Sequence, residues 1–241
     1  MLNNQRILIF GLVFIMGLLN QGKTFAKNAL VIKQNTKIAG LLTAYITDSA
    51  LKIRTSNPKI DIYYFAGHKF AYYFNVNAKL YFLSDLTRIP VFRGAHYLNN
   101  LCNIDGKSFE QPELWYKSQN FNYLNVPSTI YKLKYSPKPH ANILKYSLVV
   151  VGDFKGIDSN YINIHRRTTG SPMLGNITLK LESCDEDFNK CEYITTNMIY
   201  YADYDIKLPD LKGFKKVNSQ EALFQFMSNS DTVNNLIEYF K

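Results

Sequence analysis

The chain has 241 residues, of which 46% are hydrophobic and 15% aromatic, enough for one medium domain, or at most two small ones, with an ample core. Its formal charge of +9 is spread along the sequence without a run of like charges. That pattern argues against a nucleic-acid site and leaves a weak attraction to anionic lipid headgroups, hence peripheral membrane contact.

In chain order, the first segment reads as a secretory signal peptide. Arg6 makes its start positive, and "ILIFGLVFIMGLL" (7–19) is an apolar stretch short for a membrane span. Small residues at Thr24 and Ala26 place cleavage after Ala26. The expected mature chain, 27–241, is periplasmic or secreted and carries +7 once Arg6 and Lys23 are removed from the +9.

Residues 40–83 break into five runs: "GLLTAYIT", "ALKIRT", "IDIYYF", "KFAYYF" and "AKLYFL". Between them lie Asp48-Ser49, "SNPK", "AGH" and "NVN", whose residues tolerate turn dihedrals. Links this short join antiparallel neighbours, which predicts an up-and-down sheet. With loops of those lengths, one face collects Leu42, Ala44, Ile46, Leu51, Ile53, Ile60, Ile62, Tyr64, Phe70, Tyr72, Phe74, Ala78, Leu80 and Phe82. The other collects Thr43, Tyr45, Thr47, Lys52, Arg54, Asp61, Tyr63, Phe65, Lys69, Tyr73, Lys79 and Tyr81, including every charge. The first face is expected to be dry and the second wet, with tyrosines keeping their hydroxyls in water.

Residues 84–146 hold most of the prolines and the single tryptophan, Trp115; short strands and loops are expected there, "STIYKLKY" being the clearest strand. "SPKPHAN" reads as a division between two halves of the sheet. Strands resume at "KYSLVVVG" (145–152), "YINIHR" (161–166), "NITLKLES" (176–183) and "EYITTNMIYY" (192–201). The period then switches. "SQEALFQFMS" predicts a helix capped by Ser219, and "SDTVNNLIEYF" a second with Val233, Leu236, Ile237 and Phe240 on one side. Both are candidates to cover the dry face. The fold class is thus mainly β, a single domain built on a curved antiparallel sheet, half-barrel or sandwich-like, with C-terminal helices.

Of three cysteines, Cys184 and Cys191 flank "SCDEDFNKC" between two strands. In an oxidising compartment a disulfide staple is expected there, worth about 2.5 kcal/mol by a loop-entropy estimate that is model-dependent. A redox-active pair is the alternative, against which Asp185, Glu186 and Asp187 disfavour a thiolate. The same loop lacks the Gly and the late Glu of a calcium site, Lys190 and Thr196 standing there instead. His68, His96, His140 and His165 have no metal-ligand spacing, and no nucleophile elbow, phosphate loop or dinucleotide fingerprint is read. No cofactor, metal or catalytic residue is expected.

"AYITDSALKIRTSNPKIDIYYFAGHKFAYYFNVNAKLYF" resembles the opening of the periplasmic lipoprotein-carrier half-barrels, the LolA/LolB-like group, with Arg54, Asn77, Lys79 and Tyr81 in its pattern. "YDIKLPDLKGFKKV" is similar to the group's closing strand, and "TTGSPMLGNITLKLES" to a late strand after a Pro turn. The resemblance covers about a third of the chain; 84–146 does not match. It implies a lipid or acyl-chain ligand on the dry face, at Ile62, Tyr64, Phe70, Tyr72, Phe74 and Phe82, positions for which plain core is the favoured reading. The Cys-x6-Cys hairpin is also similar to the immunoglobulin-like redox domain of periplasmic electron transfer, with different flanking residues. Three functions stay open: a non-enzymatic carrier of a hydrophobic ligand, a factor binding an envelope protein partner through Tyr63, Tyr73 and Tyr81, and a disulfide-exchange domain.

Overall fold

The computed structural model describes residues 28–89, 111–134, 146–184 and 190–225. The expected signal peptide, "SPKPHAN" and the second terminal helix lie outside the described residues. So does the 185–189 loop between the cysteines.

The described strands form one twelve-stranded sheet. A meander of β1 (Asn28–Thr36), β2 (Gly40–Ile46), β3 (Ala50–Thr55), β4 (Asp61–Phe65), β5 (Phe70–Asn75) and β6 (Leu80–Asp85) makes one half. The other half contains β7 (Trp115–Tyr123), β8 (Val126–Leu133), β9 (Tyr146–Gly152), β10 (Thr178–Cys184) and β11 (Lys190–Asp203). β1 joins the halves by pairing antiparallel with β2 on one side and β11 on the other. A two-residue strand, β12 (Lys215–Lys216), adds parallel to β6 and closes that edge. The sheet is curved and open, as the fold class predicts. β1 was not read from the sequence, although it is the central strand.

One helix stands where a strand is predicted. "YINIHR" belongs to α1 (Ser159–Thr169), not to the sheet. The alternation of Tyr161, Asn163 and His165 against Ile162 and Ile164 suggested period 2. The caps decide otherwise. The Asp158 side chain accepts from Asn160 N–H at 2.7 Å, and Gly170 takes a left-handed φ of 70° while its N–H donates to Arg166 O at 2.8 Å. The buried residues Tyr161, Ile164, His165 and Thr168 fall at i, i+3, i+4 and i+7, a helical stripe partly hidden by its polar members. The expected C-terminal helix begins as read: in α2 (Gln220–Gln225) Ser219 Oγ accepts from Ala222 N–H at 3.1 Å, and Leu223 is buried.

The meander's register agrees with the sequence for β2, β3, β4 and β6, and differs for β5. The pairs Ile62↔Tyr73, Asp61↔Phe74, Tyr73↔Phe82 and Phe74↔Tyr81 place Tyr73 with Ile62 and Phe82, and Phe74 with Asp61 and Tyr81. The turns either side of β5 span 66–69 and 76–79, each one residue longer than "AGH" and "NVN" suggest. Gly67 at φ 79° and Lys79 at φ 55° supply the left-handed positions these turns need. One slip turns β5 over, and the second turns β6 back.

Both faces of the meander are covered. On the inner face, Ile32, Leu42, Leu51, Ile53, Ile60, Ile62 and Tyr64 form a cluster with Tyr161 and Ile164 of α1 and Leu223 of α2. On the outer face, Ala50, Tyr63 and Phe74 pack with Ile206, and Tyr204, Leu208, Leu211 and Phe214 border them. The outer face is therefore not wet, because residues 204–214 run back across it. Tyr204 stacks on Tyr45 with ring centroids 4.1 Å apart, and Phe214 meets Phe74 edge-on at 5.0 Å. A third cluster, in the second half, joins Leu114 and Trp115 to Val149, Val151, Leu181 and Ile194.

Candidate functional site

The inner face of the meander is a wall of aliphatic side chains, and α1 lies against it. Burial of such side chains stabilises by roughly 1.5–3 kcal/mol each, so an open wall of this kind needs a cover. Edge-to-face packing of Tyr64 on Tyr161, 5.5 Å between centroids at 78°, anchors one end of the helix. Beside it Asn160 Nδ2 donates to the Tyr64 hydroxyl at 3.1 Å.

At the other end a polar relay crosses the seam. Gln34 of β1 donates through Nε2 to Thr178 O at 2.8 Å and to Thr196 Oγ1 at 2.9 Å. Its Oε1 is left as an acceptor and lies 2.7 Å from His165 Nε2, so His165 is read as the neutral tautomer protonated at Nε2. Burial pushes the His165 pKa down to about 4, because water no longer stabilises the cation. Thr196 Oγ1 donates onward to Leu179 O.

Two phenols in the same seam are not satisfied. The Tyr73 and Tyr161 hydroxyls are buried without a hydrogen-bond partner among the described residues. Burial pushes both pKa values up, the Arg167 charge acting against this at Tyr73. An unpaired buried hydroxyl costs about 1–3 kcal/mol, so the contact between helix and sheet is not fully optimised.

The six residues implied as ligand contacts divide between the faces. Ile62, Tyr64 and Phe82 belong to the inner cluster. Phe74 is buried in the outer cluster with Tyr72 beside it, and Phe70 is 44% exposed. Tyr73, assigned to water by the sequence, is 1% exposed and inner-facing. The reason is the β5 register. Of the tyrosines expected on a wet interaction face, Tyr63 is buried as well as Tyr73, Tyr81 is half-buried, and Lys52 is only 7% exposed. Lys52 Nζ donates to the Tyr204 hydroxyl at 2.8 Å and stands 5.1 Å from the Tyr63 ring centroid. Its burial opposes the charge, but the Tyr204 and Tyr63 hydroxyls hold its pKa above the ordinary lysine value.

Sequence reasoning missed the contributions of α1 and β1, namely Tyr161, Ile164, His165, Ile32 and Gln34. The Asp158 and Gly170 caps were the available signal for the helix. For the cysteines, the β10–β11 register sets Ser183 opposite Cys191 and Cys184 opposite Lys190, one position from a direct pair.

A surface groove of about 600 Å³ opens at the β6 edge of the sheet, between the 76–79 turn, residues 212–217 and α2. Leu80, Phe214 and Val217 line it together with Lys79, Lys212 and Lys215.

No protein-family model matches the chain, and comparison with curated proteins returns no match. Among solved structures, the chain is similar to an outer membrane lipoprotein-sorting protein domain from Vibrio parahaemolyticus, at 8% identity and a TM-score of 0.22, over 78% of this chain and 90% of that one. It is also similar to a LolA superfamily protein from Nitrosomonas europaea, at 10% identity and a TM-score of 0.22, over 74% of this chain and 86% of that one.

Proposed function

We propose that this is an exported, non-enzymatic protein that binds a hydrophobic or lipid ligand on the inner face of its curved sheet, with α1 as the cover that the ligand displaces. The location goes with it: periplasmic or secreted, after cleavage near Ala26. One observation carries the reading. The inner wall is apolar, and among the described residues α1, with Leu223 of α2 beside it, covers it through a seam in which two phenols have no partner. A hydrophobic chain lying on Ile53, Ile62, Tyr64 and Tyr73 would replace the apolar contacts of Tyr161 and Ile164 without requiring any chemistry. Within the implied contact set, this reading keeps Ile62, Tyr64 and Phe82 and leaves out Phe70, Tyr72 and Phe74.

The connections on either side of α1 suit such a motion. Gly156 at φ 74° precedes the helix and Gly175 at φ 84° follows it, and no neighbouring atom crowds either position. The resemblance of the meander to lipoprotein-carrier half-barrels favours the same class of ligand.

Organic extraction of the purified protein followed by mass spectrometry, together with titration of a fluorescent fatty acid, tests the proposal. Co-purifying lipid or saturable probe binding is expected, with faster uptake by Tyr161→Ala, which loosens the cover. Absence of both lipid and probe binding would reduce the inner face to a core.

A further inference from the structure

We propose that the groove at the β6 edge is a second binding site, for an anionic head carrying an apolar chain, such as an alkyl phosphate or a carboxylate. It lies apart from the inner face and does not depend on the movement of α1. Its floor is apolar, made by buried Leu80 and half-buried Phe214 and Val217. Its rim is cationic: Lys79, Lys212 and Lys215 are exposed, and none of their ammonium groups is ion-paired with a carboxylate among the described residues. Three cations over an apolar floor, with no acidic residue in the lining, complement an anionic amphiphile.

The backbone beneath the lysines is held in place. Lys215 N–H donates to Lys79 O at 2.8 Å, Val217 N–H to Tyr81 O at 2.9 Å, and Lys212 N–H to Asp210 Oδ1 at 3.0 Å. Lys79 occupies a left-handed φ of 55°, a conformation that Gly or Asn adopts more readily, and its Nζ stands 5.3 Å from the Phe214 ring centroid. A lysine in a backbone conformation that disfavours it, with its ammonium above an aromatic ring at the groove, fits a use for its charge there.

The test is isothermal titration of the full chain with dodecyl phosphate below its micelle concentration. Saturable binding is expected, weakened about tenfold or more in the triple variant Lys79→Asn, Lys212→Gln, Lys215→Gln. These residues are exposed, and Asn suits the left-handed position, so the variant keeps its fold. Vesicles of phosphatidylglycerol and of phosphatidylcholine separate the sources. Sedimentation with the anionic vesicles alone, lost in the triple variant, supports the site with a bilayer lipid as its ligand; binding of the monomer alone supports it with a free amphiphile. Failure of the full chain to bind either probe overturns the proposal. So does binding that the triple variant leaves unchanged, which would belong to the inner face or elsewhere.

Discussion

His165 is buried against Gln34, and its charge state couples the seam to pH. Its folded pKa, about 4, lies below the unfolded value near 6.5, so the unfolded chain takes up the proton first as pH falls. The stability that depends on neutral His165 is present above pH 6.5 and is lost progressively between pH 6.5 and 4. The full contribution is about 3 kcal/mol, from 1.36 kcal/mol per pKa unit. Urea unfolding at pH 7.5 and pH 4.5 should show a loss in the native chain that His165→Gln reduces; equal losses would contradict the neutral, buried imidazole. At Tyr73 the hydroxyl lacks a partner among the described residues, so Tyr73→Phe should leave stability unchanged or raise it by up to about 1 kcal/mol. A loss of more than that would mean the hydroxyl is bonded after all.

For the elements, the turns around β5 matter most. The register places Tyr73 inside and leaves Phe70 at the surface. Tyr73→Ala should therefore cost about 3–5 kcal/mol in chemical denaturation, and Phe70→Ala less than about 1 kcal/mol. The reverse order would restore the register expected from alternation. That expectation was sound for β2, β3, β4 and β6, where charged and apolar residues separate cleanly between faces. It failed at β5 because "FAYYFN" is aromatic on both sides, and the one charge in the expected run "KFAYYF", Lys69, belongs to the turn and so marked the wrong phase. α1 was hidden for a related reason: its buried stripe includes the polar residues His165 and Thr168, which mask the helical period. Gly170→Ala, at a left-handed cap, should lower stability by about 1 kcal/mol; no effect would contradict that cap. The β10–β11 register works against the staple expected from the sequence, since Cys184 and Cys191, one position out of line, fall on opposite faces of the sheet. Non-reducing digestion should recover both as free thiols, and a linked pair would contradict that register.

At the scale of the whole molecule, a single sheet carries covers on both faces, and the two are different in kind. The outer cover, 204–214, is aromatic, and it encloses the Lys52 ammonium with two phenols. The sequence marked Tyr45, Lys52, Tyr63 and Tyr81 correctly, Tyr73 apart, but not the segment that returns over them, since a partner so distant in the chain leaves no local period. The inner cover includes a helix with glycine connections and, among the described residues, a partly unsatisfied seam, which our proposal takes as an element that can leave. Of the candidate site, the sheet wall was legible and its occupant was not.

The most direct test is amide hydrogen exchange, read with and without a saturating fatty acid. Ligand binding on the inner face should speed exchange across residues 159–169 while β2, β3 and β4 keep their protection. Unchanged or slower exchange in that helix, with the ligand bound, would contradict a displaceable cover.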